Sequence, residues 1–310
     1  MIIHNPASGA RDVQVELAEA RAYLTARGWS IEYEPTRTSG DARRLARQAS
    51  DAGLDAVLVA GGDGTLNEAV NALVGTRTAV GVLPCGTANV WARQMGMRLS
   101  NRALIGAARL MDEADLRVID VGCVTVNLGT GQETTRYFLL WSGLGLDAYV
   151  TRSVEPRQPS FKRWGVIAYS LAALRAAISY RGVRAEIDLD DRRVHARAML
   201  ILVSNAELYA GYFHLAPQAR IDDGWLDVVV FHGRGFLEMI RHAALLDPRL
   251  QTYRAKRVLV TTHGGCDVHV DAEPIGTTPA EVTIAPRALR VLVPATAPSA
   301  LFSIDRPLEI

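Results

Sequence analysis

Residues 55–68 read Asp-Ala-Val-Leu-Val-Ala-Gly-Gly-Asp-Gly-Thr-Leu-Asn-Glu. Ala56–Ala60 has the length and apolar composition of a strand buried on both faces, as in a parallel sheet. Thr65 onward reads as a helix start, and Gly61-Gly62-Asp63-Gly64 between them is a turn with almost no side-chain bulk. Such a turn lets backbone N–H groups close on an anion, with the positive end of the helix dipole behind them. Asp63, an acid inside a phosphate cradle, points to a metal ion or a transferring phosphoryl group. A capping box of Thr65 and Glu68 accounts for the helix start. It does not account for three glycines around an aspartate.

Outward from this block, the first half of the chain repeats strand, polar loop and helix. Ile2–His4 leads to Asn5-Pro6-Ala7-Ser8-Gly9 and a helix over Val13–Ala26. Ser30–Glu34 leads to a loop from Pro35 to Asp41 containing Thr36 and Gly40, then a helix to Asp51. Ala79–Leu83 leads to Pro84-Cys85-Gly86-Thr87 and a helix from Asn89. This alternation specifies a parallel sheet with right-handed crossovers. All four polar loops then lie at its carboxyl edge, where open α/β sheets bind ligands.

Composition excludes several alternatives. The chain has 310 residues, 49% hydrophobic and 22% charged, with a formal net charge of +1. That suits a soluble protein of two domains and argues against a nucleic-acid binder. Lys162 and Lys256 are the only lysines, so no lysine-bearing P-loop exists, and Asn67 stands where a dinucleotide fingerprint needs its third glycine. Cys85, Cys123 and Cys266 are widely spaced, without a zinc pattern. The strand-like start predicts no signal peptide, and the most apolar helical stretch, Val166–Ser179, is too short to span a bilayer. The expected location is cytoplasmic.

After Leu116 the pattern becomes mostly antiparallel β, with helices expected around Trp164–Tyr180 and Phe236–Leu246. We expect a β-sandwich second domain, with the site in the cleft between the two. In Val268–Glu273, period two places His269, Asp271 and Glu273 on one strand face, a plausible base with its orienting partner or a plain solvent-facing surface. Arg220-Ile221-Asp222-Asp223-Gly224-Trp225 reads as an acidic β-turn or as a holder of a hard cation.

These blocks, in this order, resemble the diacylglycerol kinase catalytic-domain family, which includes bacterial soluble lipid kinases and the related sphingosine and ceramide kinases. The resemblance runs from Asn5–Gly9 through Thr36 with Gly40-Asp41, Gly61–Thr65, Pro84–Asn89, Asp120-Val121-Gly122 and Ala216-Pro217, to Asp222-Asp223-Gly224 and Asp271-Ala272-Glu273. It implies an ATP site lined by Asn5, Pro6, Ala7, Ser8, Gly9, Thr36, Gly62, Asp63, Gly64, Thr65, Leu66, Asn67, Glu68 and Thr87. It further implies a structural magnesium held by the carbonyls of Arg220 and Trp225 and the side chain of Asp223. Asp271 or Glu273 would take the proton from the acceptor hydroxyl, and with Asp63 these are the candidate catalytic residues. The implied division is 1–118 for the nucleotide domain, with 295–310 returning to it, and 119–294 for the lipid-substrate domain. One departure is Val90, where many family members carry an aspartate that can join a charge network with the residue matching Asp120.

The resulting reading is an ATP- and Mg-dependent lipid kinase with a diacylglycerol-like acceptor. Its rivals are an NAD kinase and a non-catalytic nucleotide- or lipid-sensing module. A homodimer is compatible with it. Arg152, Arg157, Lys162 and Arg163, near Phe161 and Trp164, suit transient contact with an anionic membrane or an ordinary solvated loop.

Overall fold

Residues 56–60 form the buried strand that their composition requires, in a computed structural model that describes residues 1–9, 12–98, 103–154, 175, 177–209, 213–233, 235 and 251–303. The first half contains strands β1 (Ile2–His4), β2 (Tyr33–Pro35), β3 (Ala56–Gly61) and β4 (Ala79–Pro84). Helices α1 (Gln14–Ala26), α2 (Asp41–Asp51), α3 (Asp63–Leu73), α4 (Val90–Gln94) and α5 (Ala103–Asp112) complete it. The strands pair in parallel in the order β2-β1-β3-β4. α1 packs with α5 and α2 with α3, the two-faced cover that right-handed crossovers impose on this strand order. The apolar stripes follow helical spacing, with Leu17, Ala20 and Leu24 buried on α1 and Ala42, Leu45, Ala46 and Ala49 on α2.

The second half begins with β5 (Asp115–Val126), β6 (Thr134–Phe138), β7 (Trp141–Gly145), α6 (Leu146–Val154), β8 (Val183–Leu189) and β9 (Arg192–Ser204). It continues with β10 (Leu208–Tyr209), β11 (Phe213–His214), β12 (Leu226–His232), β13 (Gln251–Ala255), β14 (Arg257–Thr262), β15 (Asp267–Val270), β16 (Glu273–Thr277) and β17 (Ala280–Val293). Apart from the parallel contact of β17 with β4, every pairing here is antiparallel. Val124, Phe138, Ile187, Val203, Val228, Val260 and Val282 meet in a sandwich core of their own. The helices expected around 164–180 and 236–246 lie almost wholly outside the described residues.

Two long strands join the halves. β17 pairs with β5 along its whole length, and it shifts register between Ala285 and Leu289, which divides it into two arms. The first arm pairs with β14 in the sandwich, and the second reaches β4 through Val291 opposite Val80. A division at residue 118 therefore falls inside β5. Beyond β17 the chain returns towards the first half: Thr296 Oγ1 donates to the Met95 carbonyl at 2.9 Å. Residues 301–303 instead bond the acidic turn of the second half, through Ile221 N–H on the Leu301 carbonyl and Ser303 N–H on Asp222.

Candidate active site

The carboxyl edge of the parallel sheet gathers the polar loops by backbone contact. Asn5 N–H donates to the Ala60 carbonyl at 2.9 Å, Thr36 N–H to His4 at 2.7 Å, and Cys85 N–H to Gly61 at 3.1 Å. Glycine is required where these loops touch. A Cβ on Gly86 would lie 2.5 Å from Gly62 Cα, and one on Gly9 would lie 2.2 Å from the Cys85 carbonyl oxygen. A Cβ on Gly62 would meet Ser8 Oγ at 3.1 Å. At this edge three loops thus close on one another in a narrow cradle.

Within 62–68 the structure separates residues that line this edge from residues that hold it. The helix begins at Asp63, two residues earlier than the sequence indicates, so the Thr65–Glu68 capping box does not form. Thr65 is buried and its hydroxyl accepts a hydrogen bond from Asn5 Nδ2 at 2.8 Å. Glu68 instead caps the neighbouring helix, accepting from the N–H groups of Gly40 at 3.0 Å and Ala42 at 3.2 Å at the start of α2. Leu66 packs in the core of the first half. Asp63 turns towards the start of α4 and accepts from Trp91 N–H at 3.2 Å. Burial raises its pKa, while the amides of Trp91, Val90 and Asn89 pull it down. Gly62, Gly64, Thr36, Thr87 and residues 5–9 remain at the partly open rim.

The second-half residues reach the same place by a different geometry from the one expected. His269, Asp271 and Glu273 do not share a strand face. β15 ends at Val270, and Asp271-Ala272 is a two-residue hairpin turn with φ of 44° and 68° before β16 begins at Glu273. The register also shifts between Val268 and His269, so strict alternation fails there. His269 is 1% exposed, its Nε2 2.7 Å from Asp147 Oδ2, and its Nδ1 accepts the Ala272 N–H at 3.2 Å. His269 therefore neither orients the two acids nor faces solvent; it is a structural histidine that pins the turn from behind. A Cβ on Gly143 would lie 2.3 Å from His269 Nε2, so the pair exists only because residue 143 has no side chain.

Asp271 is buried and holds parts of both halves together. Its carboxylate accepts the N–H groups of Leu139 at 3.0 Å, Leu140 at 3.1 Å and Trp141 at 3.1 Å. It also accepts Asn67 Nδ2, from α3, at 2.9 Å. Burial pushes its carboxyl up to about 6 against the pull of these donors. Asn67 and Asn71 also donate to the Tyr137 carbonyl, at 3.1 and 3.0 Å, and Tyr137 N–H donates back to Asn71 Oδ1 at 2.9 Å. Glu273, next to this junction, is exposed at the start of β16.

The acidic turn lies apart from the Asp271 turn, at the base of β12. Asp223 Oδ1 accepts Trp225 N–H at 3.1 Å, and Oδ2 takes the guanidinium of Arg254. Asp120 accepts Gly224 N–H at 2.6 Å and Arg287 N–H at 2.7 Å. Burial raises the Asp120 pKa, those amides oppose it, and the charges of Asp222 and Asp223 add to the rise. Arg220 donates from its guanidinium to the Phe302 carbonyl at 2.8 Å. Among the described residues no group of three or more His, Cys, Asp or Glu is arranged to hold a metal ion.

Comparison with known proteins agrees with this geometry. The diacylglycerol kinase catalytic domain matches residues 1–124, and the YegS C-terminal NAD kinase beta sandwich-like domain matches residues 142–293. The chain belongs to the diacylglycerol kinase catalytic-domain family. The diacylglycerol kinase of Bacillus subtilis (strain 168) is 29% identical over 94% of this chain and 95% of its own length. That of Staphylococcus aureus (strain MRSA252) is 26% identical over 94% and 91%. A crystal structure of a diacylglycerol kinase from Bacillus anthracis str. Sterne, 21% identical, covers 96% of this chain and 97% of that one with a TM-score of 0.72. Membership makes this a lipid kinase-type fold with a parallel α/β first half and a mostly antiparallel second half. Among the described residues no helix is long and apolar enough to cross a membrane.

Asn71, Asp147 and Arg254 were not found by sequence reasoning as parts of this apparatus, and Asn67 was expected only at the ATP site, not as the partner of Asp271. Asn67 lay inside the quoted block, but its partner is 204 positions away. Asp147 and His269 are separated by 122 positions, and no local pattern marks Asp147.

Proposed function

We propose that the protein transfers the γ-phosphoryl group of ATP, bound as its magnesium complex, to the hydroxyl of a diacylglycerol-like lipid. The observation that carries this reading is the 2.9 Å hydrogen bond from Asn67 to Asp271. It joins the helix behind the glycine loop to the turn that presents Glu273. A phosphate-binding edge and a solvent-accessible carboxylate therefore lie on two sides of one junction, the layout phosphoryl transfer needs. The acceptor comes from the relatives that bear the name diacylglycerol kinase.

The two acids divide the work. Asp271 accepts four N–H donors and serves as the anchor of the turn. Glu273 acts as the general base: its carboxylate takes the acceptor's hydroxyl proton as the oxygen attacks the γ-phosphorus and ADP leaves. Backbone N–H groups of the three-loop cradle balance charge on the phosphates. Asp63 ties the glycine loop to α4 and keeps the cradle in shape around the nucleotide.

The test is transfer from labelled ATP to diacylglycerol, monoacylglycerol, phosphatidylglycerol, sphingosine, undecaprenol and NAD in parallel. Label appearing in diacylglycerol supports the reading. Label in NAD alone would make this an NAD kinase, and label in none would favour the non-catalytic rival.

Access to the lipid would come through transient contact with an anionic membrane. Arg157, Phe161, Lys162, Arg163 and Trp164 of the expected contact lie outside the described residues. Arg152, within them, is paired with Asp267 at 2.5 Å, so the contact rests on the other basic residues. Binding to anionic liposomes should fall with salt, and fall further when Arg157, Lys162 and Arg163 are changed to serine.

A further inference from the structure

The turn from Arg220 to Trp225 is where resemblance implies a structural magnesium, and its residues do not fit one. A hard cation needs oxygen ligands with lone pairs free to face it. Here the acids of the turn are already engaged by protein donors. Asp222 Oδ1 accepts Ser303 N–H at 2.6 Å and Ser303 Oγ at 2.8 Å. Asp120 accepts two backbone N–H groups, and Asp223 accepts Trp225 N–H on one oxygen and the Arg254 guanidinium on the other.

Arg254 is held for this position from several sides. It is the cross-strand partner of Asp227 on β12 and β13. Its Nε lies 3.8 Å from the Asp227 carboxylate, and its guanidinium lies over the Trp225 ring at 5.6 Å. Lys256 Nζ lies over the same ring at 4.8 Å. Two fixed cations therefore already stand beside the turn, and their field opposes a third.

We propose that Arg254 replaces the structural metal ion, so that a guanidinium hydrogen-bonded to Asp223, near the Asp227 carboxylate and lying over Trp225, organises this turn. The planar, permanently charged group suits the task, because it bonds the Asp223 carboxylate, places its charge beside Asp227 and lies over an aromatic face at once. It follows that the folded state of this chain requires no divalent cation, and that any magnesium requirement of the reaction enters with the nucleotide. This inference concerns stability and stands whether or not the acceptor is a lipid.

The test uses the full-length, nucleotide-free protein. Thermal unfolding is followed in EDTA and in excess MgCl2, and Mn²⁺ binding is titrated by electron paramagnetic resonance for the wild type and Asp223→Asn. The expected result is a wild-type Tm indifferent to metal and superimposable Mn²⁺ titrations for the two proteins. Arg254→Gln should lower Tm by roughly 1–3 °C, the scale of a partly exposed ion pair with a ring contact. A wild-type Tm that rises with MgCl2 and ceases to do so in Asp223→Asn would overturn the proposal. So would a Mn²⁺ site present in the wild type and lost in Asp223→Asn, which needs no Arg254 variant to fold. An Arg254→Gln protein as stable as the wild type would also overturn it.

Discussion

Changing Asp271 and Glu273 separately should give opposite phenotypes, although they stand two positions apart on one hairpin. Asp271→Ala removes an acceptor from four buried donors: the N–H groups of Leu139, Leu140 and Trp141, and Asn67 Nδ2. An unsatisfied buried donor costs about 1–3 kcal/mol, so independent addition would give several times that. Two effects reduce the sum. Burial pushes the carboxyl up to about 6, so holding it ionised at neutral pH carries a cost that the alanine removes. Water entering the vacated space also satisfies some donors. A net loss of about 2–4 kcal/mol remains, a fall in Tm of roughly 3–6 °C for a chain of this size.

Glu273→Gln should leave stability within about 0.5 kcal/mol, because the residue is exposed. It should lower turnover by roughly 10²–10⁴-fold, the usual worth of a general base. Thermal unfolding and labelled-ATP transfer, run side by side on both variants, separate the two roles. The division of labour is wrong if Asp271→Ala is as stable as the wild type yet inactive. It is equally wrong if Glu273→Gln turns over at the wild-type rate.

Three further outcomes follow from particular contacts. Gly86→Ala forces a Cβ to within 2.5 Å of Gly62 Cα, so ATP affinity measured by calorimetry should drop sharply; unchanged affinity would remove the three-loop cradle from the nucleotide site. Ala272→Gly should stabilise the protein by about 0.5–1 kcal/mol, since alanine pays for its φ of 68° and glycine does not; denaturant unfolding reads this directly, and a destabilised variant would contradict the turn geometry. Burial pushes the Asp227 carboxyl up to about 6, with Arg254 opposing and Asp223 adding to the rise. A raised carboxyl pKa means the folded state binds its proton more tightly than the unfolded one, so this contribution is lost as pH rises from about 4 to 6 and is constant above. Wild-type stability should therefore fall relative to Asp227→Asn across that window, and parallel profiles would refute the assignment.

The first half of the fold was legible because its determinants are local. The buried run 56–60, the helical stripe of Leu17, Ala20 and Leu24, and the glycines around Asp63 each carry their meaning within a few residues. Strand–loop–helix repetition then obliges the loops to meet at one edge, whatever the rest of the chain does. The antiparallel character of the second half was legible for the same reason, from short alternating runs between turns. By itself the sequence determined the fold class, the meeting of the polar loops at one sheet edge and, through the resemblance, the kinase family.

Tertiary structure alone decided what individual polar side chains do. Glu68 looked like the partner of Thr65, four-fifths of a helical turn away, and instead caps α2, because the α2–α3 packing brings unsatisfied N–H groups within its reach. Asp271 and Glu273 looked equivalent by strand periodicity until a two-residue turn separated them, burying one against four donors and leaving the other exposed. Asp223 stood in a turn open to two readings, and the β12–β13 pairing delivers Arg254 to it from 31 positions away. A carboxylate's task depends on which donors surround it, and those donors arrive from segments whose distance in sequence bears no relation to their distance in space.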